Sequence, residues 1–121
     1  MKESISTVEY ASMLYDFYGG LLNESQAEVM NLYHEDNLSL SEIAVELGMT
    51  RQAVHYTLKK AEAALEKYEE KLGLVAKYYE NSRRAESAIE AAKLLLAKEE
   101  LSDDSRMSVE KIIEIIMEIT E

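Results

Sequence analysis

Thr50, Arg51, Gln52, His55, Lys59 and Lys60 fall within one short stretch of the 121-residue chain. These residue types at these spacings suit contact with nucleic acid. An arginine can make paired hydrogen bonds to guanine, and a glutamine can make them to adenine. Arg51, Gln52 and His55 would lie on the first turns of a helix, on the side away from Val54 and Leu58, facing bases. Lys59 and Lys60 suit phosphates, with Thr50 beside them at the backbone. From Leu47 to Ala61 there is no acidic residue, so this window carries +3 in a chain of net charge -11. Three cations are few. At about -0.9 in salt slope per phosphate neutralised, binding through them would be weak and salt-sensitive, and a dimer would double the contacts.

Other reactive types occur without a workable arrangement. His34, Glu35 and Asp36 are adjacent, and neighbours on a helix point in different directions, so they read as a polar helix end. His55 has no second His or Cys near it to share a metal. There is no glycine-rich phosphate loop. The carboxylates recur opposite apolar stripes, as solvated faces do. Ser, Thr and Lys lack a base partner. The expectation is a protein with no catalytic, cofactor-binding or metal-binding residues.

Composition sets the frame for these residues. The chain has 24 acidic and 13 basic residues, no cysteine, no proline and four glycines. The charge repels nucleic acid and anionic membranes as a whole, so any nucleic-acid role needs a local basic face. Absence of cysteine rules out disulfides and thiolate metal sites and fits a reducing compartment. The opening MKESISTVEY lacks the apolar segment of a signal peptide, and no run approaches the roughly 20 apolar residues of a membrane span. A cytoplasmic, all-α protein is expected.

Periodicity supplies the elements. Tyr10, Leu14, Phe17, Tyr18 and Leu21 share one face of a helix over 8–18 that stops at Gly19-Gly20. Asn23 with Gln26 predicts a capping box opening a second helix, whose inner side is Val29, Leu32 and Tyr33. Ser39 with Glu42 predicts another, opening a short helix through Leu47 with Leu40, Ile43, Ala44 and Leu47 inside. Gly48 suits a left-handed turn. Thr50 caps a long helix carrying Val54, Leu58, Ala61, Leu65, Tyr68 and Leu72, which Gly73 kinks or interrupts. Helical period resumes through Tyr78, Ala85, Ile89, Ala92 and Leu96. After a loop at 102–105, Ser108 caps a last helix with Val109, Ile112, Ile113, Ile116 and Ile119. The chain divides into a head over 1–72 and a helical tail over 73–121.

The stretch LSLSEIAVELGMTRQAVHYTLKKAEAAL has the pattern of a helix-turn-helix. Ala44 is the small contact between two helices, Gly48 permits the turn, and Leu47, Met49 and Val54 fill the gap. The same pattern also fits two packed helices with no nucleic-acid role. Three pieces, FYGGLLNESQ (Phe17 to Gln26), LSLSEIAVELGMTRQAV (Leu38 to Val54) and LEKYEEKLGL (Leu65 to Leu74), together resemble the YlxM family. These are small bacterial helix-turn-helix proteins associated with the signal recognition particle, with a head similar to region 4 of sigma factors. The resemblance covers about residues 10–80.

It implies an all-helical protein with a nucleic-acid-binding head, encoded beside the particle's GTPase and its receptor, and a role in expression or assembly of that pathway. It implies that Arg51, Gln52, Ala53 and Val54 begin the recognition helix. The chain departs from the family pattern in having Tyr56-Thr57-Leu58 where Asp-Asn-Ile follows an aromatic residue, with His55 in the aromatic's place. Beyond about residue 80 no motif is recognised.

The tail stripe of Ile112, Ile113, Ile116 and Ile119 is too apolar to leave in water. Either it folds back on the protein's own core, or the tail helices form a homodimer, which would also pair two heads. The leading reading is a nucleic-acid-binding protein of the signal recognition particle pathway. DNA is the favoured ligand, with the particle's RNA as the other, and particle proteins are further partners. The competing reading is an acidic adaptor that docks a basic component of the particle and binds no DNA.

Overall fold

The computed structural model describes residues 7–120. The leader reading of MKESISTVEY falls largely on residues 1–6, outside the described residues. The described residues form six α-helices and no strand: α1 (Thr7–Tyr18), α2 (Glu24–Met30), α3 (Leu40–Leu47), α4 (Arg51–Leu72), α5 (Leu74–Leu96) and α6 (Asp103–Ile119). Contacts divide the chain into two compact units, one ending at Val75 and the next beginning at Ala76. That boundary falls inside α5.

Both predicted capping boxes form. The Asn23 side chain accepts from the Gln26 N–H at 2.8 Å, and the Ser39 hydroxyl accepts from the Glu42 N–H at 3.1 Å. Each glutamine or glutamate reaches back to the cap N–H, at 3.3 Å and 2.8 Å. Two N–H groups that a helix start leaves without partners are thereby satisfied at each site. The Ser39 bonds also hold the Glu42 carboxyl below its ordinary pKa, the backbone N–H contributing most. Thr50 caps α4, its Oγ1 accepting from the Ala53 N–H at 3.0 Å.

In the first unit α1, α2 and α3 all pack on α4. The core is Leu14 and Tyr18 of α1, Val29 and Met30 of α2, Ile43 and Ala44 of α3, and Val54, Leu58, Ala61 and Leu65 of α4. Burying a side chain such as Leu58 or Val54 contributes about 1.5–3 kcal/mol. The α4 stripe is buried as periodicity predicts as far as Leu65, but Leu72 is exposed. Phe17, Leu21 and Tyr33, expected inside, are exposed, and Met30 takes the inner place beside Val29.

The polar stretch after α2 is not a simple helix end. Asn31–Glu35 forms a π-helical turn, closed by the Asp36 N–H donating to the Asn31 carbonyl at 3.1 Å. Within it the His34 side chain is only 6% exposed, and its Nε2 lies 3.2 Å from Glu62 Oε2 of α4. An ionised carboxylate only accepts, so this ring nitrogen carries the proton. The histidine read from sequence as a solvated helix end therefore ties the π-helical turn to α4. Its hydrogen bond holds the Glu62 carboxyl below its ordinary pKa against the opposing effect of burial, with Lys59 assisting.

Gly73 adopts the left-handed conformation (φ 62°) and separates α4 from α5 outright. In the second unit, α6 starts at Asp103, capped by Ser102, whose hydroxyl accepts from the Ser105 N–H at 3.2 Å. Ser108, the expected cap, lies inside the helix. The Asp103-Asp104 pair fits a first turn because carboxylates favour the positive end of the helix dipole. The Arg106 guanidinium donates to the carbonyls of Leu96 and Lys98 at 2.6 and 3.2 Å, satisfying the end of α5. Val109 is buried and Ile113 and Ile116 are half-buried, while Ile112, Ile115 and Ile119 are exposed.

Candidate nucleic-acid interface

The turn between α3 and α4 is built from three residues. Gly48 sits at φ 66° and ψ 36°, a left-handed position where a side chain costs roughly 1–2 kcal/mol. The Met49 N–H donates to the Ala44 carbonyl at 2.9 Å, closing α3. Thr50 then opens α4. Ala44 and Val54 are buried on either side of the turn. This is the helix-turn-helix geometry the spacing predicts, with α4 as the second helix.

Arg51, Gln52, His55, Tyr56, Lys59 and Lys60 are all exposed on α4. Their positions around the helix differ. At 3.6 residues per turn, Gln52, Tyr56 and the Lys59-Lys60 pair fall opposite the buried line of Val54, Leu58, Ala61 and Leu65. His55 falls to one side. Arg51 stands seven residues before Leu58, nearly two full turns, so it lies on Leu58's side of the helix and stays exposed at the first turn. The outward ridge is therefore narrower than the sequence reading, which placed Arg51 away from Leu58.

The side chains differ in how free they are. Among the described residues, Arg51, Gln52 and His55 make no side-chain hydrogen bond or ion pair. Thr50 has its oxygen committed to the cap, which leaves its hydroxyl proton to donate. Lys59 Nζ lies 3.4 Å from Glu62 Oε1, and Lys60 Nζ sits over the Tyr56 ring, 5.6 Å from its centroid. Tyr56 is 64% exposed. Sequence reasoning noted it only as a departure from a family pattern. Its place one turn beyond Gln52 was the available signal.

The family described as "Putative helix-turn-helix protein, YlxM / p13 like" matches residues 5–106. The chain belongs to this family, UPF0122. It is similar to the UPF0122 protein of Desulforamulus reducens, 44% identical over 110 residues that cover 91% of this chain and 90% of that one. The UPF0122 protein of Halalkalibacterium halodurans is 47% identical over 88 residues, 73% of this chain and 81% of that one. The UPF0122 protein of Bacillus cereus strain AH187 is 40% identical over 114 residues, 94% and 97% of the two chains. The UPF0122 match extends well beyond the helix-turn-helix, through α5 and into α6.

Among the described residues no group of three or more His, Cys, Asp or Glu is placed to hold a metal ion. No described helix is long and apolar enough to cross a membrane.

Proposed function

We propose that the protein binds nucleic acid, DNA before RNA, through the exposed face of α4. One observation carries this reading: the second helix of the helix-turn-helix bears Arg51, Lys59 and Lys60 and no acidic residue as far as Ala61, in a chain of net charge -11. The family description agrees with it. Gln52, with Arg51 and His55 at its flank, would face bases. Lys59, Lys60 and the Thr50 hydroxyl would meet phosphates. The finer role is that of a cytoplasmic, non-catalytic accessory or regulatory protein of the signal recognition particle pathway, supported by the motif resemblance. Self-association through the exposed Ile112, Ile115 and Ile119 would bring two such faces together.

Fluorescence anisotropy with duplex DNA and with signal recognition particle RNA, each over a salt series, tests this. The expected result is binding with a salt slope that the Arg51→Ala, Lys59→Ala double variant reduces. Unchanged affinity in that variant would overturn the face. No binding to either ligand at low salt would favour the second reading, which the net charge of -11 supports. In that reading the acidic surface docks a basic protein component of the particle.

A further inference from the structure

We infer that Tyr56 reads thymine, and that with Gln52 it gives the α4 face a preference for A·T base pairs. The inference rests on the proposed function and adds to it a specificity-determining residue. Tyr56 stands near the centre of the outward ridge, directly opposite the buried line of α4, and is exposed. Its ring cannot make the paired hydrogen bonds by which Arg or Gln read bases. What it offers in a major groove is apolar surface, and the thymine 5-methyl is the apolar group displayed there. One face of the ring lies under Lys60 Nζ at 5.6 Å, which leaves the other face and the outer edge for the base. The Lys60 ammonium stands one turn further along the helix, where a phosphate contact would fix the register.

Gln52 lies one turn before Tyr56, with its amide free among the described residues. Four residues advance the helix by about 6 Å, close to two base steps of about 3.4 Å. A glutamine amide pairs with adenine N6 and N7. The two side chains thus suit an adenine and a thymine about two steps apart. With only Arg51, Lys59 and Lys60 in the acid-free window, phosphate attraction is small, and a neutral apolar contact has correspondingly more weight in choosing a site.

The test uses the full chain and three duplexes of equal length: alternating d(A-T), alternating d(A-U), which lacks only the methyl groups, and alternating d(G-C). Wild type is expected to bind d(A-T) about threefold to fivefold more tightly than d(A-U), the worth of one methyl withdrawn from water. Binding to d(G-C) should be weaker still. Tyr56→Phe keeps the methyl preference and Tyr56→Ala abolishes it. Both leave the salt slope unchanged, because the side chain is neutral. Equal binding to d(A-T) and d(A-U), or a methyl preference that survives in Tyr56→Ala, overturns the inference and leaves the proposed function standing. Binding to RNA alone does the same. Failure to bind any duplex or RNA at low salt overturns the proposed function and this inference with it. Thermal melts matching wild type confirm that the variants are folded.

Discussion

The Tyr18 hydroxyl of α1 donates to Glu69 Oε1 of α4 at 2.5 Å, and between them these two residues hold the start of α5. The Tyr18 oxygen accepts from the Leu74 N–H at 3.1 Å, and Glu69 Oε1 accepts from the Val75 N–H at 3.0 Å. Helix α5 follows Gly73 with no Ser, Thr, Asp or Asn in the capping position, so its first N–H groups need partners from elsewhere. A tyrosine more than fifty residues away in sequence provides one.

Tyr18→Phe should therefore destabilise the first unit by about 1 kcal/mol, because the part-buried Leu74 N–H and Glu69 carboxylate each lose one hydrogen bond. Thermal or urea unfolding of the full chain checks this. Amide exchange at Leu74 should accelerate beyond the global change. Wild-type exchange at Leu74 in the variant would show that this bond does not hold the helix start.

Alkaline pH should weaken the fold. Burial, then the hydrogen bond to Glu69, push the Tyr18 phenol up, and burial with nearby Glu66 and Glu69 pushes Tyr10 up. A group with a raised folded pKa favours its protonated form in the native state. Its contribution is complete below the ordinary tyrosine value of about 10 and is lost as pH rises through the folded value. Phenolate absorbance titration should show Tyr10 and Tyr18 ionising above the ordinary tyrosine value, and the Tyr18 step should vanish in Tyr18→Phe. An alkaline end of the titration left unchanged by Tyr18→Phe would contradict the assignment.

Acid should act through Glu62 and Glu42. Both carboxyls are held below their ordinary values, Glu62 chiefly by His34 and Glu42 chiefly by the Ser39 N–H. Each contributes stability above the usual glutamate value of about 4.3 that disappears as pH falls through the lower folded value. Glu62→Gln should flatten that part of the profile. It should also tighten nucleic-acid binding a few-fold, since it removes the carboxylate 3.4 Å from Lys59 Nζ. Weaker binding in this variant would place Lys59 outside the contact.

The two ends of α3 offer two substitutions of different origin. Ser39→Ala removes a cap and should cost about 1 kcal/mol. Gly48→Ala forces a side chain into the left-handed region at a similar cost, although the space around it is open. Denaturant midpoints should fall in both, and a neutral Gly48→Ala would show that the turn relaxes.

Self-association through α6 predicts that Ile115→Lys shifts sedimentation toward monomer without loss of helix signal. A wild-type chain already monomeric at micromolar concentration would dismiss the proposed dimer.

The fold was legible wherever a local rule decides it. Asn23-Gln26 and Ser39-Glu42 mark helix starts because the bond partners sit three residues apart. Gly48 marks the turn because only the left-handed region reverses the chain there. The buried α4 line from Val54 to Leu65 follows from periodicity alone. What sequence did not reveal depends on distant partners. His34 reads as a polar helix end until Glu62 is placed beside it, and Tyr18 reads as core packing until Glu69 and Leu74 are. Ser108 reads as the cap because Ser102-Asp103-Asp104-Ser105 reads as a loop, yet an acidic pair also suits a helix's first turn. On the candidate face, residue types were legible and azimuth was not. Arg51 and Leu58 are nearly two turns apart and hence share a side, while Tyr56, set aside as a family departure, stands at the centre.

Because α1, α2 and α3 all pack against the buried line of α4, the exposed side chains opposite that line take little part in the packing. Gln52, Tyr56, Lys59 and Lys60 can be exchanged with little effect on whether the chain folds. A single scaffold of this kind can drift toward new ligands one surface residue at a time, with recognition and foldability varying as nearly independent traits.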